Sequence, residues 1–160
     1  MILFVGRFDS NKGIEHLYHL SSKYEIHCVS DKSDAITNSS NSHFVFHIGV
    51  TDEELTCLYK QAAVVVIPSR YEAFSLVALE ALNNGAPIVV SDRVRIVDYL
   101  HGGKGYRIFK YHDFNGFCES IESIIGEDFS RSDLLASFEK NEIRKLYYKV
   151  YLSASRDDKS

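Results

Sequence analysis

Ala63-Val64-Val65-Val66-Ile67-Pro68-Ser69-Arg70-Tyr71-Glu72-Ala73-Phe74-Ser75-Leu76-Val77-Ala78-Leu79-Glu80-Ala81-Leu82-Asn83-Asn84-Gly85-Ala86-Pro87-Ile88-Val89-Val90 reads as strand, loop, helix and strand. Ala63 to Ile67 is a β-branched run stopped by Pro68. Ser75 to about Asn84 has helix composition, with Gly85 as its stop. Pro87 to Val90 returns to an apolar strand. Two glutamates stand eight positions apart, Glu72 on the loop and Glu80 within the helix. Glu80 is the only charge between Glu72 and Asp92. A carboxylate in so apolar a run needs partners, because burying it unpaired is costly.

The same alternation extends outward. Ile2 to Val5 is a short apolar strand, followed by the turn-rich Gly6-Arg7-Phe8-Asp9-Ser10-Asn11-Lys12-Gly13 and a helix over Ile14 to Ser22. Tyr24 to Ser30 and His43 to Ile48 are strands, with a polar loop from Asp31 to Ser42 between them. Thr51-Asp52-Glu53-Glu54 starts a helix that reaches Gln61: Thr51 caps it and Glu54 closes a capping box. Beyond the opening unit come a helix over Val94 to Leu100, a strand at Tyr106 to Phe109 and a helix at Phe114 to Ile125. A longer helical stretch covers Arg131 to Leu152, and a frayed tail spans Ser153 to Ser160. Strands alternating with helices predict one α/β domain over 1–152, a doubly wound, Rossmann-like, mostly parallel sheet with helices on both faces.

The bulk composition is that of a soluble globular chain, 45% apolar and 25% charged over 160 residues. A net charge of −4 gives no global reason to expect nucleic acid, so any bound anion needs a local site. Cys28, Cys57 and Cys118 are scattered and odd in number, and are expected as buried free thiols of a reducing compartment. No signal peptide or membrane span is evident. The chain enters its first strand almost at once, as a domain taken from a larger protein would.

In doubly wound sheets ligands sit beyond the carboxyl ends of the strands. The loops after Val5, after Ile67 and around Gly49 fall there. The first carries Arg7 and Lys12 but neither a dinucleotide fingerprint nor a P-loop. Its two cations suit phosphate, or are an ordinary solvated pair. At the loop running into the central helix, the backbone amides of Phe74, Ser75 and Leu76 face an anion position, and Ser75 alternatively serves as a plain N-cap. Glu80 is placed to accept hydrogen bonds from hydroxyls next to bound phosphates, or is satisfied internally. Because Glu72 is on a loop and Glu80 inside a helix, separate binding roles fit better than a hydrolytic acid–base pair. Among the seven histidines, His16 and His19 share a helix face expected to be solvated, and no metal-ligand cluster is seen. His43 and His47 point to one side of a strand and receive no role.

The set Gly6-Arg7 with Lys12-Gly13, Val50-Thr51-Asp52-Glu53-Glu54-Leu55 with Leu58-Tyr59, Pro68-Ser69 with Glu72 to Leu76 and Glu80-Ala81, then Gly85-Ala86-Pro87-Ile88-Val89-Val90-Ser91-Asp92, resembles group 1 glycosyltransferases. These are retaining enzymes of the GT-B fold that use nucleotide-sugar donors, and the likeness is to their C-terminal, donor-binding domain, from Met1 to about Ile125. The resemblance implies that Gly6, Arg7 and Lys12 meet the donor diphosphate and that Glu72 contacts sugar hydroxyls. It implies that the backbone from Ala73 through Phe74, Ser75 and Leu76 holds phosphate or sugar, that Glu80 takes the ribose and that Val50 lies along the base. It further implies a UDP- or GDP-sugar with the base undetermined, no other cofactor and no metal. A saccharide or lipid-linked acceptor would be held by an N-terminal domain absent from this chain, leaving the chain inactive alone. The whole protein is expected in the cytoplasm at the inner membrane face, with a role in bacterial surface polysaccharide or lipopolysaccharide assembly; the Arg131 to Leu152 stretch is either an ordinary amphipathic helix or a surface for the missing domain or the membrane. A sugar-nucleotide epimerase and a non-catalytic nucleotide-binding module are the alternatives. The chain departs from the family in Ser30-Asp31-Lys32-Ser33 where a Gly-rich turn is usual, in Ala73 after Glu72, and in Val94-Arg95 and Asp98 where Gly-Gly and Glu are common.

Overall fold

The computed structural model describes residues 1–31, 42–101 and 104–127. Six strands form one sheet: β1 (Ile2–Val5), β2 (Ile26–Ser30), β3 (Phe44–Ile48), β4 (Val64–Ile67), β5 (Ile88–Ser91) and β6 (Tyr106–Phe109). Their order is β3-β2-β1-β4-β5-β6, and every pairing is parallel. The chain starts in the middle, winds outward to β3, then crosses back beside β1 and winds the other way. The reversal lies between β1 and β4, the switch point beyond which doubly wound sheets form their ligand crevice.

Period-two alternation sorts the strand residues onto two faces. Leu3, Val65, Ile67, Ile88 and Val90 pack with α2 (Asp52–Gln61) and α3 (Leu76–Asn83). Ile2, Phe4, Ile26, Val64, Val66 and Val89 pack with α1 (Ile14–Ser21) and α4 (Phe114–Ile124). The valines of β4 therefore alternate between two cores, which is why that strand reads as a continuous apolar run.

Most predicted elements form close to the expected positions. The Thr51 capping box is complete: Glu54 N–H donates to Thr51 Oγ1 at 3.2 Å and Thr51 N–H to Glu54 Oε2 at 2.7 Å. Strand β2 starts at Ile26 rather than Tyr24, because the Lys23 and Tyr24 amides fold back onto the Leu20 carbonyl. The helix expected over Val94 to Leu100 is a 3₁₀ helix, Arg95–Tyr99. It follows a parallel bridge between Glu72 and Val94 that keeps Val94 extended. A further 3₁₀ turn, Ser10–Lys12, is capped by Asp9, whose carboxylate accepts from Lys12 N–H at 3.0 Å.

Two expectations are corrected. Cys57 is exposed on α2, whereas Cys28 and Cys118 are buried; burial pushes the Cys28 thiol up to about 12 and raises Cys118. His16 is fully buried rather than solvated, while its helix-face neighbour His19 is exposed. Its Nε2–H donates to the Tyr111 carbonyl at 2.6 Å, inside a cage of Phe109, Tyr111, Phe114 and Phe117. The face expected to meet water joins α1 to α4 instead. The helical stretch expected over Arg131 to Leu152, the tail from Ser153 and nearly all of the Asp31 to Ser42 loop lie outside the described residues. No helix among the described residues is long and apolar enough to cross a membrane.

Candidate functional site

At the switch point the β1 and β4 exit loops are fastened together. Gly13, at the start of α1, has φ +75°, and a Cβ built there would stand 1.9 Å from the Pro68 carbonyl oxygen. Only glycine fits that approach and that backbone. Arg70 N–H donates to the Asn11 carbonyl at 2.8 Å, and Asn11 Nδ2–H to the Tyr71 carbonyl at 3.4 Å.

This fastening brings Lys12 to Glu72. Lys12 Nζ lies 3.3 Å from Glu72 Oε2, with the two side chains 23% and 15% exposed. The same oxygen accepts from Ser69 Oγ–H at 3.0 Å. The main chain of Glu72 is pinned from the β5 side, where Arg95 N–H donates to its carbonyl at 3.0 Å. One loop thus delivers a cation and the other a carboxylate. Arg7, on the same loop as Lys12, is not drawn into that contact: it is exposed and pairs with Asp9 at 3.5 Å. Gly6, at φ +148°, donates its amide to the Val29 carbonyl at 3.0 Å and passes the Lys12 stem.

Past Glu72 the chain turns into α3. Ala73 is exposed, Phe74 half-buried and Leu76 exposed. Ser75 is buried and acts as N-cap, its Oγ accepting from Ala78 N–H at 3.3 Å. The capping serine satisfies one orphan amide, while the first-turn amides of Leu76 and Val77 have no intrahelical acceptor. The positive end of the helix dipole therefore lies a few residues beyond the Lys12–Glu72 pair, at the same end of the sheet.

Glu80, one and a half turns further on, is half-buried. Its internal partner is neither backbone nor a cation: Tyr59 on α2 donates its phenol O–H to Glu80 Oε2 at 2.9 Å. Tyr59 is 1% exposed. Burial foremost, then the charge and hydrogen bond of Glu80, push its phenol far above the ordinary range, so it remains a donor.

Val50 borders a groove of about 350 Å³ between the end of β3 and α2, together with His47, Glu53, Glu54, Cys57, Leu58 and Gln61. His47 stacks on His27 and shares a 2.9 Å hydrogen bond with it, and His27 Nε2 lies 3.2 Å from Glu25. Burial, and secondarily His27, lower the pKa of His47.

The structure thus joins Lys12 with Glu72, and places Glu80, Val50 and the α3 N-terminus around the same end of the sheet. Sequence reasoning gave no role to Ser69, Tyr59 or Asn11. Two of the three were within reach of a simple rule: a buried Tyr must place its hydroxyl and an isolated buried Glu must find a donor, and a serine three residues before a loop carboxylate is a local donor.

A sequence-family model described as group 1 glycosyl transferases matches residues 1–127. An uncharacterized 41.2 kDa protein in the cps region of Klebsiella pneumoniae is 27% identical over 95% of this chain and 46% of its own length. An uncharacterized glycosyltransferase of Methanocaldococcus jannaschii is 42% identical over 57% of this chain and 27% of its own. The fold is shared with a UDP-forming α,α-trehalose-phosphate synthase from Burkholderia xenovorans, at a TM-score of 0.72 and 14% identity, covering 97% of this chain and 44% of that one. The chain spans less than half the length of these relatives. A six-stranded parallel sheet of the kind that builds GT-B transferases, a charged pair at its switch point and a family match over most of its length lead to one conclusion: the chain belongs to the group 1 glycosyl transferases.

Proposed function

We propose that this chain binds the nucleotide-diphosphate sugar donor of a retaining hexosyltransferase, as its C-terminal domain. The observation that carries the reading is the junction at Glu72 Oε2, where Lys12 and Ser69 converge beside the open end of α3. Lys12 and Glu72 hold each other at that junction. A donor offers each a new partner: a diphosphate oxygen for the ammonium, sugar hydroxyls for the carboxylate. As the sugar–phosphate bond breaks, the electron pair goes to the departing phosphate oxygen. Lys12, Arg7, the Gly6 turn and the amides from Ala73 to Leu76 then meet charge that grows in the transition state. Glu80 takes the ribose, and the groove at Val50 takes the base of a UDP- or GDP-sugar.

In this reading the acceptor, a saccharide or a lipid-linked one, is held by the rest of a longer protein, which works on the cytoplasmic side of a bacterial membrane in surface polysaccharide or lipopolysaccharide assembly. The relative from a cps region supports that setting.

Calorimetric titration of UDP, GDP and ADP into the 160-residue chain tests the binding role. At least one diphosphate binds, and Lys12→Ala weakens it about tenfold or more, the worth of one charge-assisted hydrogen bond. Equal affinities for wild type and Lys12→Ala, or no binding of any of the three, would overturn the assignment.

A further inference from the structure

Tyr59 spends its one O–H on a single atom, Glu80 Oε2, at 2.9 Å. No other described residue donates to that carboxylate. A tyrosine only 1% exposed and packed in the core between α2, α3 and the sheet has little freedom to turn away. It therefore fixes the carboxylate's rotation, leaving Oε1 and the second lone pair of Oε2 to face a ligand. The adjacent residue, Leu58, lines the groove at Val50. A single helical turn thus carries one wall of the groove and the clamp on Glu80.

We propose that Tyr59 is a positioning residue for nucleotide recognition: it preorganises Glu80 for the two vicinal ribose hydroxyls and sets their register against a base in the Val50 groove. The proposal rests on the reading of Glu80 as the ribose acceptor. A carboxylate free to rotate must be ordered when the ribose arrives, whereas one already clamped by the phenol is not. Tyr59 thereby raises preference for ribose without touching the nucleotide. Phenylalanine in its place keeps the ring and removes only the clamp.

The test titrates UDP, GDP and their dideoxyribose counterparts, with inorganic pyrophosphate as control, into the full chain and into Tyr59→Phe, Glu80→Gln and the double variant. Wild type prefers the ribose forms. Tyr59→Phe weakens ribonucleotide binding about three- to tenfold, the cost of ordering one free side chain on binding. It leaves dideoxy and pyrophosphate binding unchanged, and adds nothing once Glu80 is Gln. A merely structural tyrosine would weaken all ligands alike. If wild type prefers ribose and Tyr59→Phe retains the whole preference, the positioning role falls while the ribose reading stands. If wild type does not distinguish ribose from dideoxyribose, the Glu80 reading falls and takes this proposal with it. Should Tyr59→Phe fail to fold, 3-fluorotyrosine at position 59 keeps both ring and hydroxyl. Its fluorine resonance shifts with UDP or GDP and not with the dideoxy forms; a resonance unmoved by all of them would overturn the proposal.

Discussion

Glu72 Oε2 pairs with the Lys12 ammonium and accepts from Ser69 at once, so this one atom joins two loops. Both side chains of the ion pair are largely withdrawn from water, and removing one leaves the other short of a partner. Lys12→Met is expected to cost about 1–2 kcal/mol in urea unfolding, between the exposed and fully buried limits. Ser69→Ala costs about 1 kcal/mol. A second residue-scale prediction concerns His16. Its Nε2 is satisfied, but Nδ1 is buried without a partner among the described residues. Burial lowers its pKa below 6.5, against opposing contributions from the Tyr111 carbonyl, Glu15 and Gly13, while His112 adds a smaller lowering. The unfolded chain therefore binds the proton more readily than the folded one. Stability is fully present above about 6.5 and declines as pH falls through the window between the unfolded and the lower folded pKa. His47, also lowered, acts in the same direction. His16→Phe should flatten part of this slope in urea melts across the window; an unchanged slope would show that His16 does not carry it. The sequence displayed Lys12, Glu72 and Glu80 as residue types in suggestive loops. It did not display their partners, because Tyr59 stands 21 positions from Glu80 and reaches it only through the packing of two helices.

The elements that hold the crevice differ in how far local rules determine them. The helix at Asp52–Gln61 was legible to the residue, since its capping box lies wholly within four consecutive positions. Ser75 behaves likewise, and Ser75→Ala should cost about 1 kcal/mol by leaving Ala78 N–H without its acceptor. The two 3₁₀ segments were not legible as such. A single turn has no period to detect, and the one at Arg95–Tyr99 follows the Glu72–Val94 bridge, a contact between different crossovers. The contact of Gly13 on Pro68 was equally hidden, although Gly13 stood in a recognised motif. Gly13→Ala is expected to destabilise by more than about 2 kcal/mol, because the left-handed φ and the 1.9 Å approach act together. The loss should exceed that of Gly85→Ala, where φ is +85° but nothing lies within 4 Å of the added carbon. Comparing the two by thermal unfolding separates backbone strain from steric contact; equal losses would remove the loop-fastening role.

At the scale of the molecule, the strand order puts β1 and β4 at the centre, between two cores, and makes their exit loops the crevice. Stability and binding are therefore joined at one place: the strands last to open carry the loops a donor would bridge. Amide exchange reads this directly. In the free chain, protection should be greatest in β1, β4 and β5 and least at the edges, β3 and β6, which lack a strand on one side. A ligand that binds only the folded state, present at about 100 times its Kd, adds about 2.7 kcal/mol. Under conditions where exchange reports equilibrium opening, amides that exchange only by global unfolding then slow about a hundredfold, all by the same factor. The Arg70 and Arg95 amides, whose hydrogen bonds to Asn11 and Glu72 lie in loops at the switch point, are expected to exchange through local opening in the free chain. A diphosphate bridging Lys12 and the start of α3 must close that local route as well. Their slowing on addition of UDP or GDP should then approach that of the β1 and β4 amides. If the central strands slow while Arg70 and Arg95 continue to exchange at their free-chain rates, the nucleotide binds elsewhere on the fold and the switch-point crevice is not its site.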